Sequence, residues 1–182
     1  MAYYMRAFCT SSKVPSLNEV FGWSADRKKF KSEGIEFALD PIVEVEPTSS
    51  EWNQAALRVM LQGESVLDDS LLVDVDRDDG NPTCLFHEEV EEFIEMTESD
   101  FINNPDATQQ HKEAGKRIID HLKQSKYVVS CQIPSSELDD EGHYEWYSPA
   151  LSFLRCFVQY CGGIVQTDDG EWFFPEDFQE PL

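Results

Sequence analysis

The stretch "WNQAALRVML", residues 52–61, decides the topology of this chain. It is a short apolar run, and hydrophobic periodicity alone reads it equally as a strand or as a short helix. Its neighbours are less ambiguous. Residues 35–45, "IEFALDPIVEV", alternate apolar and polar and read as a strand. Pro41 makes that strand an edge or a bulged one, because proline cannot donate to a ladder. Between the two lies the turn "EPTSS". On the other side "LLVDV", 71–75, reads as a strand leading into an acidic loop.

Further toward the N-terminus, "YYMRAFC", 3–9, is rich in aromatic residues and reads as a strand. Ser16 and Glu19 have capping-box spacing, so a helix is expected over 16–31, closed by the basic run "DRKKFK" at the negative end of its dipole. Toward the C-terminus, residues 85–98 place Phe86, Val90, Phe93, Ile94 and Thr97 on one face of an amphipathic helix. A second helix is expected over 107–124 with Ala114, Ile118, Ile119 and Leu122 inward. "YVVSCQI", 127–133, reads as a strand and "PSSELDDEGH" as a polar loop. Residues 149–161 form a mostly buried helix with Pro149 in its first turn, Ser148 as its cap, and Gly162-Gly163 at its end. The chain then reads as a hairpin over "IVQTDDGEWFF", with Asp169-Gly170 as a two-residue turn, since glycine takes the positive φ such a turn demands.

Strands and helices mix without strict βαβ alternation, and no linker is long enough to divide the chain. Residues 1–182 are therefore expected to form one α+β domain, a mostly antiparallel sheet packed with three to five helices. No stretch reaches the roughly 18 consecutive apolar residues of a membrane helix. The N-terminal residues lack the features of a secretory signal. Five cysteines, an odd number without dense spacing, do not resemble a disulfide scaffold. A cytoplasmic protein is expected.

Charge narrows the function classes. Asp and Glu number 36 against 14 Lys and Arg, a net charge of −22, which repels nucleic acid and anionic membrane. No phosphate-cradling glycine loop, dinucleotide fingerprint or nucleophile elbow is present. The acidic run Asp74, Asp76, Asp78, Asp79, Gly80 starts like a calcium loop. That loop needs glycine at position 6 and a bidentate Glu at position 12, and this chain has Asp79 and Leu85 there. "HEEVE" at 87–91 lacks the second histidine that a zinc helix requires, having Glu91 in its place. Cys156 and Cys161 are five apart on a helix, about 140° from each other, and are expected to be core thiols. No catalytic, metal or cofactor set is assigned.

What remains is a one-signed helix. Seven acids and no base lie between Glu88 and Asp100. Glu88, Glu91, Glu92, Glu95 and Glu98 recur at i+3 and i+4, forming a ridge opposite the apolar face, although like charges at these spacings oppose helix formation. A second acidic segment sets Asp139, Asp140 and Glu141 beside Tyr144 and Trp146. Acids flanking aromatics suit a protein interface, where the aromatics anchor and the charges steer. The expected function is non-enzymatic binding of a basic protein partner through these two segments. In charge and size alone, the chain is similar to small acidic inhibitors such as immunity proteins against nuclease toxins. The competing expectation is a metal-assisted hydrolase built on Asp74, Asp76 and Asp78.

Overall fold

Residues 54–61 are a strand, and the sheet is organised around that fact. A computed structural model describes residues 3–20, 35–40, 48–61, 64–65, 70–133 and 147–178. Its strands are β1 (Tyr3–Cys9), β2 (Ile35–Asp40), β3 (Gln54–Leu61), β4 (Glu64–Ser65), β5 (Leu71–Arg77), β6 (Tyr127–Ile133), β7 (Gly163–Gln166) and β8 (Trp172–Phe173). Its helices are α1 (Leu85–Thr97), α2 (Gln109–Gln124) and α3 (Tyr147–Cys161), with a short helical stretch at 17–20. One sheet runs in the order β2-β3-β5-β6-β1-β7-β8, with β4 paired to β3. Every pairing among the described residues is antiparallel. The class is α+β.

Side chains alternate across a strand, so each strand serves two layers. Met5, Ala7, Cys9, Val73, Val75, Tyr127, Val129 and Cys131 face α3, whose Phe153, Leu154, Phe157 and Val158 complete one buried cluster. Phe8, Val128 and Ile164 face the opposite way, under Phe86, Val90 and Phe93 of α1 and Ile118 and Leu122 of α2. This double cover explains why β6 is buried at nearly every position while β5 alternates. Trp52 is fully buried at the entrance to β3. Its indole N–H donates to the Pro15 carbonyl at 2.9 Å, and its ring packs on Phe157.

The capping box forms as its spacing implies. The Ser16 hydroxyl accepts from the Glu19 N–H at 3.2 Å, and the Glu19 carboxylate accepts from the Ser16 N–H at 2.8 Å. Residues 21–34 of the expected helix lie outside the described residues, as do 41–45 of the strand expected over 35–45. Within its described span β2 pairs only with β3, an edge position as Pro41 suggested.

Three boundaries and one buried position differ from the expectation. α2 begins at Gln109, because the Thr108 hydroxyl caps it by accepting from the His111 N–H. Gly115, not Ala114, takes the fully buried place on α2, because Phe101 lies where a methyl group would stand. α3 starts at Tyr147, which puts Ser148 inside the helix rather than at its cap. The hairpin loop is five residues long, since Gln166 pairs with Trp172. The Thr167 N–H donates to the Glu171 carbonyl and its buried hydroxyl accepts from the Glu171 N–H, so the loop closes there rather than at Asp169-Gly170. α3 does end at the glycine pair. Gly163, at φ +121°, lies against β1 so closely that a Cβ would meet the Phe8 carbonyl oxygen at 1.9 Å.

Candidate functional site

α1 carries the acidic ridge into solvent. Phe86, Val90, Phe93 and Thr97 are buried, and Glu88, Glu91, Glu92, Glu95 and Glu98 are exposed on the opposite side. Among the described residues no cation pairs with any of the five. The expected second segment, with Asp139, Asp140, Glu141, Tyr144 and Trp146, lies outside the described residues. After Thr97 the chain makes one wide helical turn, Glu98–Ile102, which closes the ridge.

Asp74 and Asp76 are not loop residues. β5 runs on to Arg77, and alternation places both carboxylates on the sheet face that α1 and α2 cover only in part. The strand register lays out that face as three rows. Ile164, Phe8, Val128 and Asp76 lie across from one another, with the first three beneath the helices. Beside them runs a polar row of Gln166, Arg6, Ser130, Asp74 and Gln54. The outer row is Tyr4, Gln132, Leu72 and Ala56. Over the polar row opens a cleft of about 410 Å³, walled on the helix side by Leu85 and Glu89.

Arg6 joins floor to wall. Its guanidinium pairs with the Glu89 carboxylate and lies 5.0 Å from the centre of the Phe93 ring and 5.3 Å from that of Tyr4. Three carboxylates, Asp74, Asp76 and Glu89, therefore share the cleft with one guanidinium. Burial raises the pKa of Asp76, and the neighbouring Asp74 adds to the rise. Burial also raises Glu89, with Asp76 and Glu92 adding to the rise, and the Arg6 partnership offsets only part of it. Ser130 is 8% exposed and lines the cleft. Leu85, which lines the cleft, and Leu72, on the outer row, are large apolar side chains left in solvent, at 69% and 36% exposure.

The acidic turn that follows β5 is occupied by its own backbone. The Asp78 carboxylate accepts from the Gly80 N–H at 2.9 Å, and that of Asp79 from the Asn81 N–H at 2.8 Å. The Gly80 N–H and then His87, 3.1 Å from Asp78, hold the Asp78 carboxyl below its usual range. Asp78 thus shapes the approach to α1 and stands apart from the cleft that holds Asp74 and Asp76. Among the described residues no three His, Cys, Asp or Glu side chains stand where they could hold a metal ion.

The thiols lie in the core or at its margin. Cys9, Cys131 and Cys156 are buried, while Cys84 and Cys161 are half-buried, and all five are free. Burial raises the pKa of Cys9 and Cys161, which interact with the Tyr127 hydroxyl, and so disfavours their thiolate forms. A second cavity, of about 640 Å³, lies between Phe101, Ile118 of α2 and Trp172 to Phe174 of the terminal hairpin, and its walls are largely aromatic.

The sequence reading found the ridge and missed the cleft. The signal for the cleft was present in "LLVDVDR", where acids alternate with buried apolar residues and so share one face. No helix of the described residues is long and apolar enough to cross a membrane. Compared with known proteins, the chain matches no protein-family model, no curated protein and no solved structure.

Proposed function

We propose that this protein is a non-enzymatic binding module of the cytoplasm that holds a basic protein partner through its acidic surface. The observation that carries the reading is the ridge Glu88, Glu91, Glu92, Glu95 and Glu98, exposed along α1 with no pairing cation among the described residues. α1 is anchored through its apolar face, with Glu89 and His87 at its margin bound to Arg6 and Asp78, and none of the five ridge acids takes part. The ridge is therefore not required by the fold, and its like charges oppose the helix that bears them. A strong one-signed field steers a partner of opposite sign and occludes its cationic surface on contact. Nucleic acid and anionic membrane do not fit such a surface. The segment with Asp139, Asp140, Glu141, Tyr144 and Trp146 extends the proposed surface, its aromatics serving as anchors. Five free thiols accord with a reducing compartment. By analogy of charge and size, an inhibitor of a basic protein is the functional class that fits best.

Affinity capture from the source cell's lysate at low and high salt tests this. The expected result is a basic protein retained at low salt, weakened at high salt, and lost when Glu91, Glu92 and Glu95 are all changed to Lys. Retention that is indifferent to both salt and the triple substitution would overturn the assignment.

A further inference from the structure

We infer that the cavity between α2 and the terminal hairpin binds a small organic cation, a quaternary ammonium group carried on an apolar or aromatic body. The site stands on other elements than the ridge and is independent of the partner surface proposed above. Alternation along the hairpin sends Trp172 and Phe174 to the face covered by α1 and α2, and Phe173 to the other. Phe101, from the wide turn after α1, lines the same cavity, and Ala114 and Ile118 of α2 supply its aliphatic wall. Ala114 opens the space. It lies one and two turns before Ile118 and Leu122, and where they carry branched side chains it carries a methyl group. Phe101 and Trp172 are left half-buried around it. At about 640 Å³ the cavity has the size of a small-molecule site, roughly 300–1,000 Å³.

Charge complementarity selects the occupant. Among the described residues the ionisable groups of the lining are two carboxylates, Glu171 and Asp177, and no base lines the cavity. The Arg117 guanidinium beside it is already engaged, paired with Glu176 and lying 3.8 Å from the centre of the Phe174 ring. Aromatic faces attract cations through their quadrupole, and a tryptophan face does so most strongly. An anion is repelled by both carboxylates and by the field of the whole chain. The scarcity of acceptors narrows the cation further. One oxygen of Asp177 already accepts from the Phe174 N–H at 2.7 Å, and the aromatic and aliphatic walls accept nothing. A primary ammonium would leave buried N–H donors unmet, whereas a quaternary ammonium has none and packs its methyl groups against the walls. The volume exceeds that of one cationic head, so the body that carries the charge is bound too, which identifies a free small molecule.

Amide chemical shifts of the full chain at physiological salt test this. The probes are benzyltrimethylammonium, its neutral carbon isostere neopentylbenzene, and Nα-acetyl-trimethyllysine amide. Benzyltrimethylammonium should give saturable shifts at Ala114, Ile118, Gly170 and Trp172, including the Trp172 indole N–H. The neutral isostere should bind about tenfold more weakly, the share of affinity that cation–π and carboxylate contacts supply. Ala114→Leu, a substitution that keeps a good helix former, should fill the space and abolish binding of both. Glu171→Gln with Asp177→Asn should weaken the cation several-fold and leave the neutral isostere unchanged, and this pair serves if Ala114→Leu fails to fold. Shifts spread along the Glu88–Glu98 ridge without saturation, or binding undiminished by Ala114→Leu in a folded variant, would overturn the site. Equal affinity for the cation and its neutral isostere would overturn the assigned class of ligand. Tighter binding of the trimethyllysine amide than of benzyltrimethylammonium would overturn the small-molecule source in favour of a methylated protein side chain. The Glu91, Glu92 and Glu95 to Lys variant should seat the probes as the native protein does, so failure of this site and failure of the ridge are read separately.

Discussion

Gly115 occupies a helix interior where alanine would ordinarily be favoured by about 1 kcal/mol. Here a Cβ would stand 2.4 Å from the Cβ of Phe101, an atom fixed close to its own backbone. Gly115→Ala should therefore destabilise the protein, by about 1–3 kcal/mol as overpacking does, measurable by urea denaturation. Asp76 gives a second prediction with a definite sign. Its folded pKa is raised, so on acidification the folded state takes up that proton before the unfolded state does. The cost of the ionised carboxylate is present above the folded pKa, is lost as pH falls through the interval between the two pKa values, and is absent below it. Asp76→Asn should raise stability at neutral pH by roughly 0.5 kcal/mol, a figure discounted for its partial exposure, and make no difference in strong acid. Thermal melts of both proteins across the acid range would check this. The alternation that puts Asp74 and Asp76 on one face can be read from seven residues. That this face is left open could not be, because it depends on where α1, a separate element, comes to rest.

At the scale of elements, legibility followed the completeness of the local pattern. Tyr3–Cys9 and Tyr127–Ile133 are found at the positions read from their sequences, because β-branched and aromatic runs carry their own signal. Gln54–Leu61 remained open, because its fate is set by pairing with β2 on one side and β5 on the other, contacts that no local period encodes. The buried face of α1 was legible to the residue, apart from Ile94, which is only half-buried. The same helix tests the proposed function against stability. Glu95→Lys would set a cation four residues after Glu91 and three before Glu98, near the negative end of the helix. It should stabilise the protein by roughly 0.5 kcal/mol in a denaturation experiment while weakening retention of a basic partner. A variant more stable and less able to bind is the expected signature of a surface kept for binding.

For the whole molecule, a charge of −22 on 182 residues implies self-repulsion that salt will screen. Raising sodium chloride from low to physiological strength should increase the stability of the isolated protein by roughly 1 kcal/mol, a rise in Tm of about 2–4 °C by calorimetry. The same addition should loosen its proposed complex, so stability and affinity would move in opposite directions along one salt series.

The position of β1 has a temporal consequence. This strand comes before every other in sequence, yet it stands between β6 and β7, with Cys9 opposite both Tyr127 and Gly163. During synthesis both of its hydrogen-bonding edges wait for partners made more than half the chain later. Closing such distant pairings is slow, and an open strand is vulnerable in the interval to pairing with the wrong edge. The centre of this sheet is thus made well before the strands that flank it and is among the last parts to be secured, and the nascent chain has most need of protection before β6 emerges.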